Sequence, residues 1–291
     1  MLLTSPRSTK CYKVSPLSPC FEEIMFGPKL ESLFQYALKS FDGRCLMLVE
    51  MNAQSRINYD RKWKFERVDG LLVQGKTIVD GKRYPILHQI RTQIQDDFQH
   101  IKVQYQSTGE RHLFSLKEPE DFNRWLGKIL SAEVKLLEND AGFPDEPNEG
   151  ATLISRETLQ ELCKWFPSIT YDNMRARLRP NIVVSWFGKP PFWEEYLAQR
   201  RSFAIGNTTF IGTGLVERCA VPSRDPTTGE ALKGFQAQFS KARKENPPFF
   251  SQRNTFEKNG YFAGIYIKRD EPIKDVCTLQ AGMEVFANIP M

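Results

Sequence analysis

Apolar and polar positions along this chain alternate over short distances. Brief apolar runs are cut repeatedly by turn residues, and long helical stripes are few. Between Leu33 and Val103 the runs Cys45–Met51, Leu71–Val73 and His88–Ile94 predict strands. Asp69-Gly70 and Asp80-Gly81 predict hairpin turns between them. From Pro119 to Leu130 the pattern changes: Phe122, Trp125, Leu126, Ile129 and Leu130 recur at helical spacing, and a proline suits a first turn. Beyond it, Thr152–Ile154 predicts a strand. Ser155 stands where a helix cap belongs, ahead of an apolar stripe of Leu159, Leu162, Cys163 and Phe166. The remainder reads mostly as strands: Asn181–Ser185, a hairpin over Arg201–Ile211 about Gly206-Asn207, Phe210–Val216, Tyr261–Lys268 and Met283–Ala287. The acidic, Pro/Gly-rich segment ENDAGFPDEPNEG at 138–150 is the natural connection between two parts. The expected organisation is a disordered tail at 1–29, a small β domain at 30–140 and a second β-rich domain at 141–291. The expected class is α+β, mainly β, with barrel-like sheets and flanking helices.

Composition narrows the functional classes. With 291 residues, 41% hydrophobic and 26% charged, the chain suits a soluble globular protein. It has no apolar run of transmembrane length. Arg7, Lys10 and Lys13 among serines would permit a transit peptide, but a plain tail and a cytoplasmic protein are the expectation. Six cysteines and three histidines contain no CxxC pair, which argues against a zinc site and a disulfide framework. Most of the thiols, Cys163 and Cys277 among them, are expected to be structural. The net charge, 40 minus 35 or +5, is too mild to indicate nucleic acid.

Candidate chemistry concentrates in three places. Cys219 follows a strand-like run, precedes the turn Asp225-Pro226-Thr227-Thr228-Gly229, and lies between Arg218 and Arg224. Neighbouring cations favour the thiolate, which is both a nucleophile and a soft metal ligand; a half-buried cysteine beside solvated arginines is the equally weighted alternative. Arg175, Arg177 and Arg179 lead into the apolar run Ile182-Val183-Val184. Arg175 reads as a solvated face, whereas Arg179 abuts the apolar run, where a guanidinium is a bidentate phosphate receptor. Lys39-Ser40 and Asp60-Arg61-Lys62-Trp63 add basic groups and a hydroxyl in the first half. No Walker-type or GxGxxG loop is present.

Together these segments resemble a known family. RLRPNIVVS at 177–185 and ERCAVPSRDPTTGE at 217–230 resemble the MOSC domain, and TLQAGMEV at 278–285 resembles its closing strands. YALKSFDG at 36–43, DRKW at 60–63 and GFPDEPNEGATLIS at 142–155 resemble the elements of the two-domain type, an N-terminal MOSC β-barrel followed by the MOSC domain, as in the mitochondrial amidoxime-reducing component and its bacterial relatives. The resemblance spans about residues 30–291. It implies two β-barrel domains and a molybdenum cofactor. Cys219 would be the molybdenum ligand and catalytic residue, with Arg218, Arg179, Asn181, Lys39, Ser40, Arg61 and Ser155 holding the cofactor. Two positions depart from the family pattern: Ala37 stands where a proline is common, and Glu217 where a small polar residue is.

The function so implied is a molybdenum-dependent oxidoreductase that reduces N-hydroxylated or S-oxidised small molecules. No flavin or haem motif is present, so electrons would come from a separate donor protein; neither nucleic acid nor membrane is an expected partner. The alternative is a non-redox protein that binds the cofactor or carries sulfur on Cys219 as a persulfide.

Overall fold

The computed structural model describes residues 27–73, 76–251, 260–270 and 277–289. The expected tail, with Cys11 and Cys20, lies outside them except for its last three positions. The architecture is mixed α and β and rich in strands, as expected for an α+β protein. Its largest sheet has eight strands, in the order Val285–Phe286, Ser202–Ile205, Thr208–Glu217, Phe262–Arg269, Ala151–Ser155, Ile182–Ser185, Lys29–Gln35 and Arg44–Leu46. All these pairings are antiparallel except that of Ala151–Ser155 with Ile182–Ser185. Two three-stranded sheets and one two-stranded sheet complete the ladders.

Among the described residues no ladder closes into a barrel. The run Cys45–Met51 does not form one strand but breaks at exposed Met47. Arg44–Leu46 remains in the large sheet, while Leu48–Met51 turns away to pair with Cys277–Gln280. One isolated bridge, Lys29 with Glu284, joins the first strand of the chain to the segment before its last strand.

Other local expectations shift for identifiable reasons. Leu71–Val73 forms no strand; Trp63–Arg67 takes Ile78–Val79 and Val134–Glu138 as partners instead. Asp80 makes a capped turn, not a hairpin. Its carboxylate accepts from the Lys82 and Arg83 N–H groups and leads into the short 3-10 turn Pro85–Gln89, which replaces the start of the strand expected from His88. The two-residue loop Gly206-Asn207 forms as expected, with Ile205 opposite Thr208. The helix Glu120–Leu130 also forms, burying Phe122 and Leu126.

Three apolar cores result. One, around Phe65, Phe122 and Leu126, gathers residues 37–136. A second fills one side of the large sheet around Trp193, Phe210 and Ile265. The third packs the helices Arg156–Trp165, Tyr171–Leu178 and Phe235–Glu245 on Phe34, Val183 and Ala263. The strand Lys29–Gln35 belongs to the large sheet and pairs with Ile182–Ser185, so the N-terminal part reaches across the expected boundary near residue 140. No described helix is long and apolar enough to cross a membrane.

Candidate functional site

The seam between the first core and the large sheet carries the candidate site. The chain leaves strand Lys29–Gln35 at Tyr36 and turns sharply through Ser40, whose φ is +72°. Arg61 and Arg179 also have left-handed backbones, with φ of +51° and +52°. Each such conformation costs about 1 kcal/mol for a residue with a side chain, and it persists only where its surroundings hold it. At Arg179 the cause is visible: this residue ends the helix Tyr171–Leu178, and its N–H bonds the Arg175 carbonyl.

Tyr36 organises the basic groups. Its ring carries the Arg179 guanidinium at 4.2 Å and that of Arg61 at 5.4 Å, both within cation–π range. Its hydroxyl donates to the Pro180 carbonyl at 3.2 Å. Burial pushes the phenol above its ordinary value against the pull of Arg179, Arg175 and Arg61. Arg61 pairs with Asp60, which also accepts from the Tyr36 N–H. Arg179 donates to the Phe41 carbonyl at 2.6 Å, but its Nη2 is buried with no partner. A buried unsatisfied donor costs about 1–3 kcal/mol, and a ligand acceptor would recover it.

Lys39 and Ser40, adjacent in sequence, turn to different sides. The Lys39 ammonium bonds the Phe143 carbonyl at 3.0 Å and Asp145 at 2.8 Å. Burial would raise Asp145, but Lys39, Arg61 and Arg179 hold it below the ordinary carboxylate value. Ser40 instead lines a cavity of about 490 Å³ together with Arg179, His88, Arg91, Arg224 and Val221. Burial pushes His88 down to about 4, and Arg179, Arg224 and Arg91 add to the effect.

Cys219 lies beside that cavity and is exposed. Its sulfur accepts from the N–H of Val221, a cavity residue, at 3.5 Å. Arg177, almost fully buried, anchors the loop that follows. It bonds Asn173 at 2.7 Å, the Pro222 carbonyl at 3.1 Å and Asp225 at 3.4 Å. Arg218 is spent differently from its expected part in cofactor binding. Its guanidinium donates to the Ala263 carbonyl, and at 2.8 Å to that of Leu178, fastening the Cys219 strand to the helix end that carries Arg179.

Two sequence candidates do not reach the site with a free group. Ser155 is fully buried and caps the helix Arg156–Trp165: its Oγ accepts from the Thr158 N–H and donates to Thr158 Oγ1, and its N–H donates to Glu194. Asn181 is also buried. Its amide accepts from Thr152 and donates to the Phe34 carbonyl, joining neighbouring strands. Both residues are structural supports here because their polar atoms are consumed within the protein. Cys277 is buried, and burial raises the Cys163 thiol. Asp145, Arg91 and His88 were not singled out in the sequence, where each is an ordinary polar residue in a loop or strand.

Among the described residues, no group of three His, Cys, Asp or Glu side chains is arranged to hold a metal ion. No protein-family model and no curated protein matches this chain. Among solved structures, the crystal structure of the YUAD protein from Bacillus subtilis is similar over 89% of this chain and 94% of that one, with 11% identity and a TM-score of 0.34. That likeness is too loose to carry an argument.

Proposed function

We propose that this chain is a MOSC-type protein that binds the molybdenum cofactor in the seam and works as an oxidoreductase on N-hydroxylated or S-oxidised small molecules, with electrons from a separate donor protein. The observation that carries this reading is the gathering of Ser40, Arg61 and Arg179 about Tyr36, all three held in left-handed backbone and one with an unpartnered buried guanidinium nitrogen. Strained residues gathered about one aromatic ring, two of them lining a cavity, point to a binding site. The donor set fits the group chemically: guanidinium, ammonium and hydroxyl donors suit a phosphate, and the exposed Cys219 thiol suits a soft metal. Lys39, Ser40, Arg61 and Arg179 would hold the phosphate end, and Cys219 would be the protein's ligand to molybdenum. When bound, the cofactor supplies the two-electron redox chemistry. Arg218 and Arg177 fix the Cys219 segment from behind. The barrel expected of this family finds support in the Lys29–Glu284 bridge, which joins the strand next to one edge of the large sheet to the segment before the strand at its other edge.

The exposed sulfur of Cys219 also suits the second reading, in which it carries sulfur as a persulfide without redox turnover. The full-length chain, expressed natively, should contain molybdenum and pterin. Cys219→Ser should abolish turnover with an artificial donor while retaining much of the pterin. Arg179→Ala removes a charge-assisted contact of about 1.5–3 kcal/mol, so cofactor affinity should fall roughly ten- to a hundredfold. Unchanged turnover in Cys219→Ser would remove the ligand role. A sulfur adduct on Cys219, found by mass spectrometry without molybdenum, would favour the carrier reading.

A further inference from the structure

We propose that the cavity beside Arg179 is a subsite for the anionic end of the substrate, a small molecule bearing a phosphate monoester, with Arg224 and Arg179 as its receptors. The word substrate rests on the oxidoreductase reading above; the anion subsite itself rests on the charges in the cavity.

Five arginines line this space: Arg91, Arg175, Arg177, Arg179 and Arg224. Three have carboxylate partners. Arg91 pairs with Asp42 at 3.0 Å, Arg175 with Asp172 at 3.7 Å and Arg177 with Asp225 at 3.4 Å. Arg179 and Arg224 have none within ion-pair reach among the described residues. Arg224 is occupied only by the carbonyls of Gly229 and Lys82, at 3.1 and 3.4 Å. Two unneutralised guanidiniums facing one concavity match a dianion, and guanidinium forks suit phosphate oxygens in particular. His88 adds no further positive charge, because burial and the Arg179, Arg224 and Arg91 guanidiniums keep its ring neutral near pH 7.

The cavity is larger than an anion requires. Its volume of about 490 Å³ falls within the usual range for small-molecule sites, roughly 300–1,000 Å³. Phe34, Phe41, Leu87 and Val221 supply apolar wall for the rest of the molecule. The cavity shares Ser40 and Arg179 with the donors assigned to the cofactor phosphate, whereas Arg91 and Arg224 belong to the cavity alone. Lys39 and Arg61 do not line it, and Tyr36, a lining residue, carries the Arg179 guanidinium at 4.2 Å and that of Arg61 at 5.4 Å. Val221, also in the cavity lining, donates its N–H to the Cys219 sulfur. A molecule anchored by its phosphate on Arg224 and Arg179 would therefore lie beside the loop that carries the thiol.

Phenyl phosphate is the probe, titrated calorimetrically at low ionic strength into the full-length protein, with and without cofactor. The wild type should bind it in both forms. Arg224→Gln should weaken binding about tenfold or more, Arg224→Lys should recover part of the loss, and Arg124→Gln, on an exposed helix face, should change nothing. Undiminished binding by Arg224→Gln that keeps the wild-type circular dichroism would overturn the proposal, as would absence of binding by the wild type. Loss of binding on cofactor loading would also overturn it and give the cavity to the cofactor's own phosphate. Arg224-dependent binding by a protein that never acquires molybdenum or pterin would sink the cofactor reading and leave the anion subsite standing.

Discussion

His88 sits where burial and three guanidiniums all oppose another positive charge. Its folded-state value of about 4 lies below the ordinary imidazole value of about 6.5. The unfolded chain therefore binds more protons between those limits, and stability present above about pH 6.5 is lost as pH falls toward 4. The contribution is on the order of 1–3 kcal/mol for a half-buried ring. His88→Gln, whose amide can still donate to the Gly81 carbonyl, should flatten this part of the stability curve. With only three histidines in the chain, NMR titration can follow His88 directly, and a ring that protonates near pH 6.5 would remove the argument. The residue scale also shows where sequence reading stops. Arg179 and Cys219 were legible because each adjoins an apolar run or a turn motif. Asn181 was legible as a position but not as a role, since adjacency does not reveal which way a side chain faces. Arg91 and Asp145 were not legible at all: a lone charge in a loop or strand reads as solvated until the fold brings a partner to it.

The helix Arg156–Trp165 shows how much an element's boundary chemistry decides. Its Ser155 cap, readable from the residues alone, is joined by Glu194, which accepts from both the Ser155 N–H and Thr158 Oγ1. Ser155→Ala deletes the cap and leaves Thr158 with a poorer set of partners. It should cost about 1–2 kcal/mol, visible as a lower Tm, with cofactor content unchanged per folded molecule. A variant of full stability that loses cofactor would return Ser155 to the binding set. Strands were legible where one apolar run stayed in one ladder, as in Ala151–Ser155 and Ile182–Ser185. The run Cys45–Met51 was misread because its two halves serve different sheets, and local alternation cannot report a change of partner. The barrel-like sheets were expected from many short strands and then from resemblance, but edge pairing is a long-range property that no local pattern contains.

The halves of the molecule are held by side chains reaching across to backbone, which sequence does not display. Arg56, almost fully buried, holds the acidic 138–150 segment by donating to the carbonyls of Ala141, Pro147 and Glu149. On the other side of the seam, the turn after Cys219 docks on residues 85–91. Arg91 donates to the Pro226 carbonyl at 2.7 Å, and Gln89 to that of Thr228 at 3.1 Å. Gly229 makes this docking possible: its φ is +78°, and a Cβ there would collide with the Pro85 carbonyl oxygen. Gly70 is the natural control, with φ of +74° but open space around it. Both Gly→Ala variants incur the left-handed penalty of about 1 kcal/mol. Only Gly229→Ala must also push the turn away from Pro85, so it should lose further stability. Amide exchange should rise selectively in 85–92 and 225–231, while Gly70→Ala leaves both segments protected. Because Arg224 and Arg91 frame the cavity from opposite sides of this contact, phenyl phosphate affinity should fall in Gly229→Ala and hold in Gly70→Ala. Equal exchange and equal affinity in the two variants would mean that the seam is not held by this turn, and that the cavity does not depend on the docking of the two halves.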